Sequence, residues 1–375
     1  MSKFLTAILS LLALASRAQN SVIQMVFTSD VHYGITRPHF RKADTVPSGI
    51  VNAAMVAAID QLPSQLLPAD SGLAAGSRVG YLDALILTGD IANREEKGVQ
   101  CAAASWLQFK KDFVGDLMTR GQDHQPTALC LTAGNHDVSN ALGYCHPTEP
   151  AHDASALAGI YDMMLHPVTE RTKENYNYTT DKIHYSKEMG GLHLLFVNLW
   201  PDSAERDWIE EDLKTVKPGT PVFLFTHSMP DVDARFFINP NGQHTLNDSD
   251  KFENLLTEQF KDGLHADQPT LIEQRSLVAF LKRHPAIKAW FHGHSNYNEF
   301  YDWQGPDNDL KLHCFRVDSP MKGKLSSKDE TRLSFQLITV DTRKKTMTVR
   351  ECLWNSDPDN PSLLKWGQHV TLSLN

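Results

Sequence analysis

Five short apolar segments of this chain are each closely followed by residues that commonly bind metal ions. The segments span residues 22–27, 84–87, 128–131, 222–225 and 287–291. Each is short and almost continuously apolar, which predicts a strand buried on both faces. Because parallel strands bring the loops beyond their carboxyl ends to one edge of a sheet, residues far apart in sequence can meet there. The pattern therefore predicts an α/β fold with a site at a sheet edge.

Each of these segments is followed by its own set of polar residues. Asp30 and His32 follow the first segment, Asp90 the second, and single histidines follow the last two. The full set of candidate metal ligands is Asp30, His32, Asp90, Asn135, His227, His294 and Asn296. Taken singly, each has an ordinary explanation, because Gly-Asp often marks a turn and a histidine after a strand can be a core residue. Taken together, their positions favour a metal site.

The donor types indicate which metals would suit such a site. Carboxylate and amide oxygens combined with imidazole nitrogens suit Mn, Fe, Zn or Co. The motifs contain no cysteine, which argues against a structural zinc site. The five cysteines of the chain are also too scattered for a disulfide framework, although two pairs could form in an oxidising compartment.

Segments between and after the predicted strands complete an alternating pattern. Apolar residues recur at helical spacing over 50–62, 101–118, 203–216 and 271–282, and further strands are predicted over 192–199, 334–341 and 346–353. Residues 231–269 are polar and irregular, as expected for a loop insertion that shapes substrate choice. From residue 312 to 375 the pattern consists of strands. Strands alternating with helices are typical of the α/β class.

The first 18 residues have the three parts of a secretory signal peptide. Lys3 provides a positive start, residues 5–15 are apolar, and Ala18 ends a possible cleavage site. The apolar run is too short to span a membrane as a helix. We therefore expect residues 1–18 to be removed, and residues 19–375 to form one secreted or periplasmic domain without a stable membrane anchor.

The charge of the chain constrains its partners. The formal net charge is -9 and becomes -11 when Lys3 and Arg17 are removed. Since the chain has no basic run, we expect neither nucleic acid nor an anionic membrane as a partner. A small phosphoester remains possible as substrate, because bound metal ions can supply local positive charge.

The ordered motifs resemble the calcineurin-like metallophosphoesterase family. That family carries Asp-x-His, Gly-Asp, Gly-Asn-His-Asp/Glu, a single His, and Gly-His-x-His. The match spans residues 30–296, and its most specific part is the run from Gly134 to Asp137. The resemblance implies a four-layer αββα sandwich with two mixed β-sheets and two metal ions, divalent or trivalent.

The resemblance also implies roles for individual residues. Asp30 and His32 correspond to ligands of a first metal, and Asp90 to the carboxylate that bridges both metals. The ligands of the second metal would be Asn135, His227 and His294. His136 occupies the position of the residue that protonates the leaving group or steadies the transition state. An imidazole suits that task because its ordinary pKa lies near neutral pH.

Two nearby residues each allow two assignments. Asp137 could orient His136, or it could be a carboxylate in the first turn of a helix. Arg94 lies four residues after Asp90 and could contact the substrate phosphate, although a surface arginine after a turn is the commoner outcome.

One residue departs from the family pattern. Where the family has the second histidine of Gly-His-x-His, this chain has Asn296. An amide oxygen can bind a metal, but it is a weaker donor than imidazole for transition metals. An alternative register pairs His292 with His294, which restores two imidazoles but shifts the motif relative to Gly293.

Together these observations predict an exported dinuclear-metal-dependent phosphoesterase. It would hydrolyse phosphomonoesters or phosphodiesters through a metal-activated hydroxide. Two alternatives stay open at this stage. One is a non-catalytic metal- or phosphate-binding protein on the same fold, and the other is an exported nuclease.

Overall fold

A computed structural model describes residues 21–93, 100–138, 153–177, 180–232 and 269–375 of the chain. Several predictions lie outside these residues. They concern the signal segment 1–18, Arg94, Cys145 and nearly all of the insertion predicted at 231–269.

The first sheet contains six strands in the order β14-β13-β12-β1-β4-β5. Its centre is β1 (Val22–Thr28), which pairs in parallel with β4 (Ala84–Thr88); β4 in turn pairs in parallel with β5 (Ala128–Thr132). On the other side β1 pairs antiparallel with β12. The remaining strands are β12 (Ser334–Asp341), β13 (Thr346–Leu353) and β14 (Lys365–Ser373). The carboxyl ends of β1, β4 and β5 therefore lie at one edge.

The second sheet also has six strands, in the order β10-β11-β9-β8-β7-β6. Its parallel part consists of β7 (Leu192–Val197), β8 (Val222–Phe225), β9 (Ile287–His292) and β11 (Leu312–Arg316). The antiparallel edges are β6 (His184–Met189) and β10 (Glu299–Trp303). A separate hairpin pairs β2 (Thr36–Phe40) with β3 (Ala43–Pro47).

Alternate residues of each buried strand face opposite layers. Met25 and Phe27 of β1 meet Phe225 and Phe291 of the second sheet, with 6.0 Å between the ring centroids of Phe27 and Phe225. Because side chains along a strand alternate, the residues between them face outward. The strands are buried on both faces for this reason, which explains their continuous apolar sequence.

Helices cover the outward faces of the two sheets. They are α1 (Ser48–Gln61), α2 (Ala102–Phe109), α3 (Asn135–Val138), α4 (Ser155–Leu165), α5 (Ser203–Leu213) and α6 (Pro269–Arg283). Met55 of α1 and Phe280 of α6 belong to the same hydrophobic cluster as strand residues of both sheets, such as Leu85 and Leu224. Two mixed sheets between helices confirm the predicted αββα sandwich.

The predicted elements agree with the observed ones to within a few residues, with one local difference. The helix predicted over 101–118 is α2 only as far as Phe109, and a π-helical turn continues it from Lys110 to Gly115. The stacked rings of Trp106, Phe109 and Phe113 keep this segment in contact with the core. Helical periodicity alone cannot distinguish the two windings, because both place apolar residues on one side.

Two further findings concern membranes and cysteines. Within the described ranges, no helix is long and apolar enough to cross a membrane. Cys101, Cys130, Cys314 and Cys352 are all free thiols.

A buried ion pair fastens the loop after α1 to the first sheet. The guanidinium of Arg350 in β13 donates to both carboxylate oxygens of Asp70, at 2.9 and 2.7 Å, and to the carbonyl of Leu73 at 3.0 Å. Arg350 is 1% exposed. Hydrogen bonding to Arg350 lowers the pKa of Asp70 to about 2, although partial burial opposes this shift.

We expect Asp70→Asn to lower the free energy of unfolding by about 2 kcal/mol at neutral pH, because Arg350 loses its ionised partner. A lowered folded-state pKa stabilises the protein fully above the unfolded value near 4, and this contribution is lost as the pH falls toward 2. Urea unfolding of both proteins across that range measures the difference.

The control is Asp307→Asn, which removes an exposed pair with Arg275. Exposed ion pairs contribute at most about 1 kcal/mol, so its effect should be small. A difference between wild type and Asp70→Asn that does not change with pH would show that ionisation of Asp70 is not its source.

Candidate metal centre

The loops after β1, β4, β5, β8 and β9 converge at one edge of the sandwich. Asp30 and His32 follow β1, and their backbone N–H groups donate to the carbonyls of Gly89 and Asp90, at 3.0 and 2.9 Å. The backbone N–H of His294, after β9, donates to the carboxylate of Asp30 at 3.0 Å. Residues from both sheets thus meet at the position that the motif order predicts.

Two glycines make the close approach of the loops possible. Gly89 has a φ of 91°, and a Cβ atom placed on it would lie 2.2 Å from the backbone nitrogen of Gly134. A Cβ on Gly134 would lie 2.2 Å from a carboxylate oxygen of Asp90. No larger residue fits at either position without moving the backbone.

Five of the predicted ligands have left-handed backbone conformations. The φ angles are 58° for Asp30, 41° for His32, 50° for Asp90, 67° for His294 and 59° for Asn296. Such conformations are uncommon outside glycine, and clusters of them occur where function requires a particular side-chain direction.

One group of donors contains Asp30, His32, Asp90 and His136. The Nε2 atom of His32 lies 3.8 Å from Asp30 Oδ1 and 3.6 Å from Asp90 Oδ2, and His136 Nε2 lies 3.8 Å from the same Asp90 oxygen. The donor atoms of His32, Asp90 and His136 all lie within 4.8 Å of one another. We call Asp30, His32 and Asp90 the carboxylate-rich group.

A second group contains two imidazoles. His227 Nε2 lies 3.0 Å from the amide oxygen of Asn135 and 3.1 Å from Nδ1 of His294, and the latter atom is 3.1 Å from the same Asn135 oxygen. His227 Nε2 is also 3.4 Å from Asp90 Oδ2. We call Asn135, His227, His294 and Asp90 the imidazole-rich group. Asp90 belongs to both groups, as a bridging ligand would.

The second nitrogen of His227 is held by the backbone. Its Nδ1 lies 2.7 Å from the carbonyl oxygen of Thr88, and a carbonyl can only accept, so Nδ1 carries the hydrogen. The Nε2 atom that faces Asn135 and Asp90 is therefore available as a lone-pair donor when the ring is neutral. A hydrogen bond of this kind commonly orients a metal-binding histidine.

The charges within the centre are strongly coupled, as a site for a cation requires. Burial, with a further contribution from Asp90, raises the pKa of Asp30 to about 6, although His227 opposes the shift. Burial also opposes ionisation of Asp90, but His227 and His32 bring its pKa below the ordinary value. For His227, burial opposes protonation, yet the carboxylates of Asp90 and Asp30 raise its pKa.

Two buried oxygens support the same conclusion. Asp30 Oδ1 and Asn296 Oδ1 have no hydrogen-bond partner among the described residues. A buried polar atom normally has a partner, because leaving it without one costs about 1–3 kcal/mol. Metal ions would satisfy both oxygens, so the residues present fit the predicted metal site.

Asp137 joins backbone groups of two loops. Its buried carboxylate accepts hydrogen bonds from the N–H groups of Ile91, Ala92 and Gly134, at 3.1, 2.8 and 2.9 Å. Burial and the charge of Asp90 raise its pKa to about 7. Of the two roles predicted for Asp137, these contacts match the structural carboxylate, here one that joins the loops after β4 and β5.

In the alternative register, His292 would be a ligand together with His294. The Nε2 atom of His292 lies 2.8 Å from the hydroxyl of Tyr301, and Nδ1 lies 3.1 Å from the carbonyl of Gly293. Both ring nitrogens of His292 thus contact groups other than the predicted ligands.

Sequence analysis did not identify the loop of Ser319, which contacts the backbone of Asp30. The hydroxyl of Ser319 donates to the carbonyl of Asp30 at 2.7 Å and accepts from the backbone N–H of Lys322. The ammonium of Lys322 donates to Asn93 at 2.8 Å. Ser319 is separated from Asp30 by 289 positions, and no motif marks it.

Comparisons with solved structures show only weak likeness. A single-substitution variant of Vps29 from Entamoeba histolytica is 9% identical, with 94% of this chain and 100% of that chain covered and a TM-score of 0.33. Vps29 from Chaetomium thermophilum is also 9% identical, with 94% of this chain and 95% of that chain covered and a TM-score of 0.31. The calcineurin-like phosphoesterase YfkN from Bacillus subtilis is 9% identical, with 94% of this chain and 91% of that chain covered and a TM-score of 0.31. At these TM-scores the likeness carries no argument about this chain.

Comparison with protein families is decisive. No curated protein matches the chain. The family model described as calcineurin-like phosphoesterase, however, matches residues 23–312, which includes every predicted metal ligand and His136. Since this match covers more than half of the sequence, the chain belongs to the calcineurin-like phosphoesterase family.

Proposed function

We propose that this protein is an exported phosphoesterase that uses two metal ions to hydrolyse small phosphomonoesters or phosphodiesters. One observation carries the proposal: Asp90 lies in both candidate metal groups, with His32 on one side and His227 on the other. A shared carboxylate is the arrangement that holds two cations close enough to act on one phosphate.

The predicted ligands would form two sets, one for each metal ion. Asp30, His32 and Asp90 would hold one ion, with Asn296 as a further ligand. Asp90, Asn135, His227 and His294 would hold the other. Bound ions would neutralise charge on the phosphate and make a water molecule acidic near neutral pH. The donor types suit Mn, Fe, Zn or Co as these ions.

We assign His136 to the leaving group. Its side chain is 13% exposed, whereas that of Asp90 is 3% exposed, and its Nε2 lies 3.8 Å from Asp90 Oδ2. The backbone N–H of His136 donates to Asp90 Oδ1 at 2.9 Å, which fixes the residue relative to the carboxylate. A protonated imidazole there would donate to the departing oxygen as the ester bond breaks.

A second candidate function is a non-catalytic protein that binds metal or phosphate. Asn296 favours it, because an amide replaces an imidazole at the centre and one ion could be held weakly. The two functions differ in measurable ways: the enzyme requires turnover and close to two metal ions per chain. A nuclease is disfavoured by the net charge of -9.

We expect Asn135→Ala to lower turnover of chromogenic phosphate monoesters or diesters by about a hundredfold or more, because a metal contributes several kcal/mol to the transition state. Protein reconstituted separately with Mn, Zn, Fe and Co is assayed on both ester types. Metal content should fall from near two ions toward one per chain.

The matched control is Asn298→Ala. Asn298 lies outside both donor groups, and its amide oxygen accepts from Gln336 at 2.8 Å. It should keep wild-type turnover. If the wild type shows no turnover of either ester type with any of the metals, the phosphoesterase proposal fails and the binding function is favoured.

We expect His136→Ala to lower turnover by about 10²- to 10⁴-fold for esters with a poor leaving group, such as an alkyl alcohol. The loss should be much smaller for a nitrophenyl ester, whose leaving group needs little protonation. Metal content should not change. The control is His39→Ala, since the His39 side chain is 73% exposed.

Equal losses for both leaving groups would contradict the proposed role of His136 as an acid. Loss of a metal ion from His136→Ala would show instead that its imidazole is a ligand, since its Nε2 belongs to a possible three-residue site with His32 and Asp90.

Export is supported by the signal-like sequence of residues 1–18. We expect the full chain, produced in a host with a secretion pathway, to be recovered outside the cytoplasm. Its intact mass should be that of a chain that begins at Gln19. A matched chain that lacks residues 2–18 should remain inside. Recovery of the full-length chain in the cytoplasm with residues 1–18 attached would contradict export.

A further inference from the structure

A loop that follows β11, residues 319–324, contacts the backbone of two loops that carry predicted metal ligands. It reaches the loop after β1 through the Ser319 hydroxyl, which donates to the carbonyl of Asp30 at 2.7 Å. It reaches the loop after β9 through the backbone N–H of Lys324, which donates to the carbonyl of Asn296. The loop 319–324 therefore borders the metal centre.

Lys322, in the middle of this loop, reaches a third ligand-bearing loop with its side chain. Its backbone N–H donates to the Ser319 hydroxyl at 2.9 Å, so that one hydroxyl group separates it from the carbonyl of Asp30. Its ammonium donates to Asn93 Oδ1 at 2.8 Å. Asn93 follows Asp90 by three residues, a stretch of chain that spans at most about 11 Å. The side chain of Lys322 thus brings a positive charge beside the metal centre.

The backbone fixes the position of Asn93. The loops after β1 and β4 stay paired beyond their strands, because the N–H of Tyr33 donates to the carbonyl of Ile91 at 2.8 Å and the N–H of Asn93 donates to the carbonyl of Tyr33 at 2.9 Å. The amide oxygen of Asn93, which is 6% exposed, therefore holds the Lys322 ammonium in a defined place. An ammonium has three N–H donors, so a group that donates to Asn93 can also donate to a phosphate oxygen.

A second cation that contacts this part of the chain is arranged differently. Arg37 donates from its three guanidinium nitrogens to the carbonyls of His39, Pro320 and Ser326. It is 1% exposed, whereas Lys322 is only half-buried. Arg37 therefore supports the backbone, and Lys322 is the cation that a substrate can reach.

We propose that Lys322 binds a charged oxygen of the substrate phosphate and thereby makes the centre select phosphomonoesters over phosphodiesters. The proposal rests on the proposed function and names its substrate class. A phosphomonoester carries about 1.5 to 2 negative charges at pH 7. One of its charged oxygens takes the place where a diester carries its second ester group. An ammonium at this place forms a charge-assisted hydrogen bond with the monoester, whereas the diester offers it an uncharged oxygen and a substituent.

The experiment measures binding of inorganic phosphate and of dimethyl phosphate by calorimetry, to protein reconstituted with Mn²⁺ and freed of excess metal. Inorganic phosphate has the charged oxygens of a monoester, and dimethyl phosphate represents a diester. Lys322→Gln should weaken binding of inorganic phosphate by roughly tenfold or more, the usual size of a lost hydrogen bond to a charged group. Binding of dimethyl phosphate should change much less. Lys322→Arg keeps the charge and should retain most of the preference for inorganic phosphate.

The control is Lys328→Gln, which removes the same charge from an exposed position further along the chain and should keep the wild-type ratio of the two affinities. Metal content and thermal unfolding of each variant are measured alongside. The proposal is overturned if Lys322→Gln keeps the wild-type ratio, or if it weakens both ligands equally, as a role limited to joining loops would predict. An equal effect of Lys328→Gln would also overturn it, because the cause would then be net charge.

The outcome of this experiment does not depend on turnover, because neither ligand is hydrolysed in it. A wild type that shows the expected affinities but no phosphoesterase activity would refute only the proposed function. A wild type that hydrolyses phosphoesters, while Lys322→Gln leaves the ratio of affinities unchanged, would refute only the role of Lys322.

Discussion

The metal centre depends on the contact between the backbones of the loops after β4 and β5. Gly89 and Gly134 allow this contact, and the Asp137 carboxylate holds it by accepting N–H groups from both loops. The contact places the Asp90 carboxylate between the two donor groups. A Cβ atom at either glycine would lie 2.2 Å from an atom of the other loop and push the loops apart.

The same arrangement concentrates acidic groups in a buried cluster. Asp30, Asp90 and Asp137 are all buried within one cluster, and burial raises the pKa of Asp30 and of Asp137. Such a cluster is costly unless it is neutralised by protons or cations. The acidic centre and its left-handed residues fit a site that could hold metal.

Much of this architecture could be predicted because it depends on local patterns. Buried parallel strands have a recognisable apolar sequence, and residues 222–225 were predicted with the bounds observed. The polar residue after each strand could be assigned to one edge, since parallel strands end together. The structure brings Asp30, His32, Asp90, Asn135, His136, His227 and His294 together as predicted, while their roles as ligands or catalyst stay predictions.

What could not be predicted depends on contacts between distant segments. Neither the Ser319–Asp30 contact nor the Asp70–Arg350 pair has a sequence pattern, because each joins residues some 280 to 290 positions apart. The hairpin β2–β3 contains polar residues and two prolines, so its strands do not alternate regularly. Asp137 could be assigned either of two roles from sequence, and only the positions of three backbone N–H groups distinguish them.

The order of the ligands along the chain has a consequence for folding. The contact between the backbone of His294 and the carboxylate of Asp30 joins residues 264 positions apart, and both sheets contribute to it. Contacts of such long range form late, because the loop between the residues must first be closed. A nascent chain therefore carries its acidic cluster unassembled through most of folding, and the first metal ion to bind meets a nearly complete protein. The metal identity would then depend on which ions are present when folding ends.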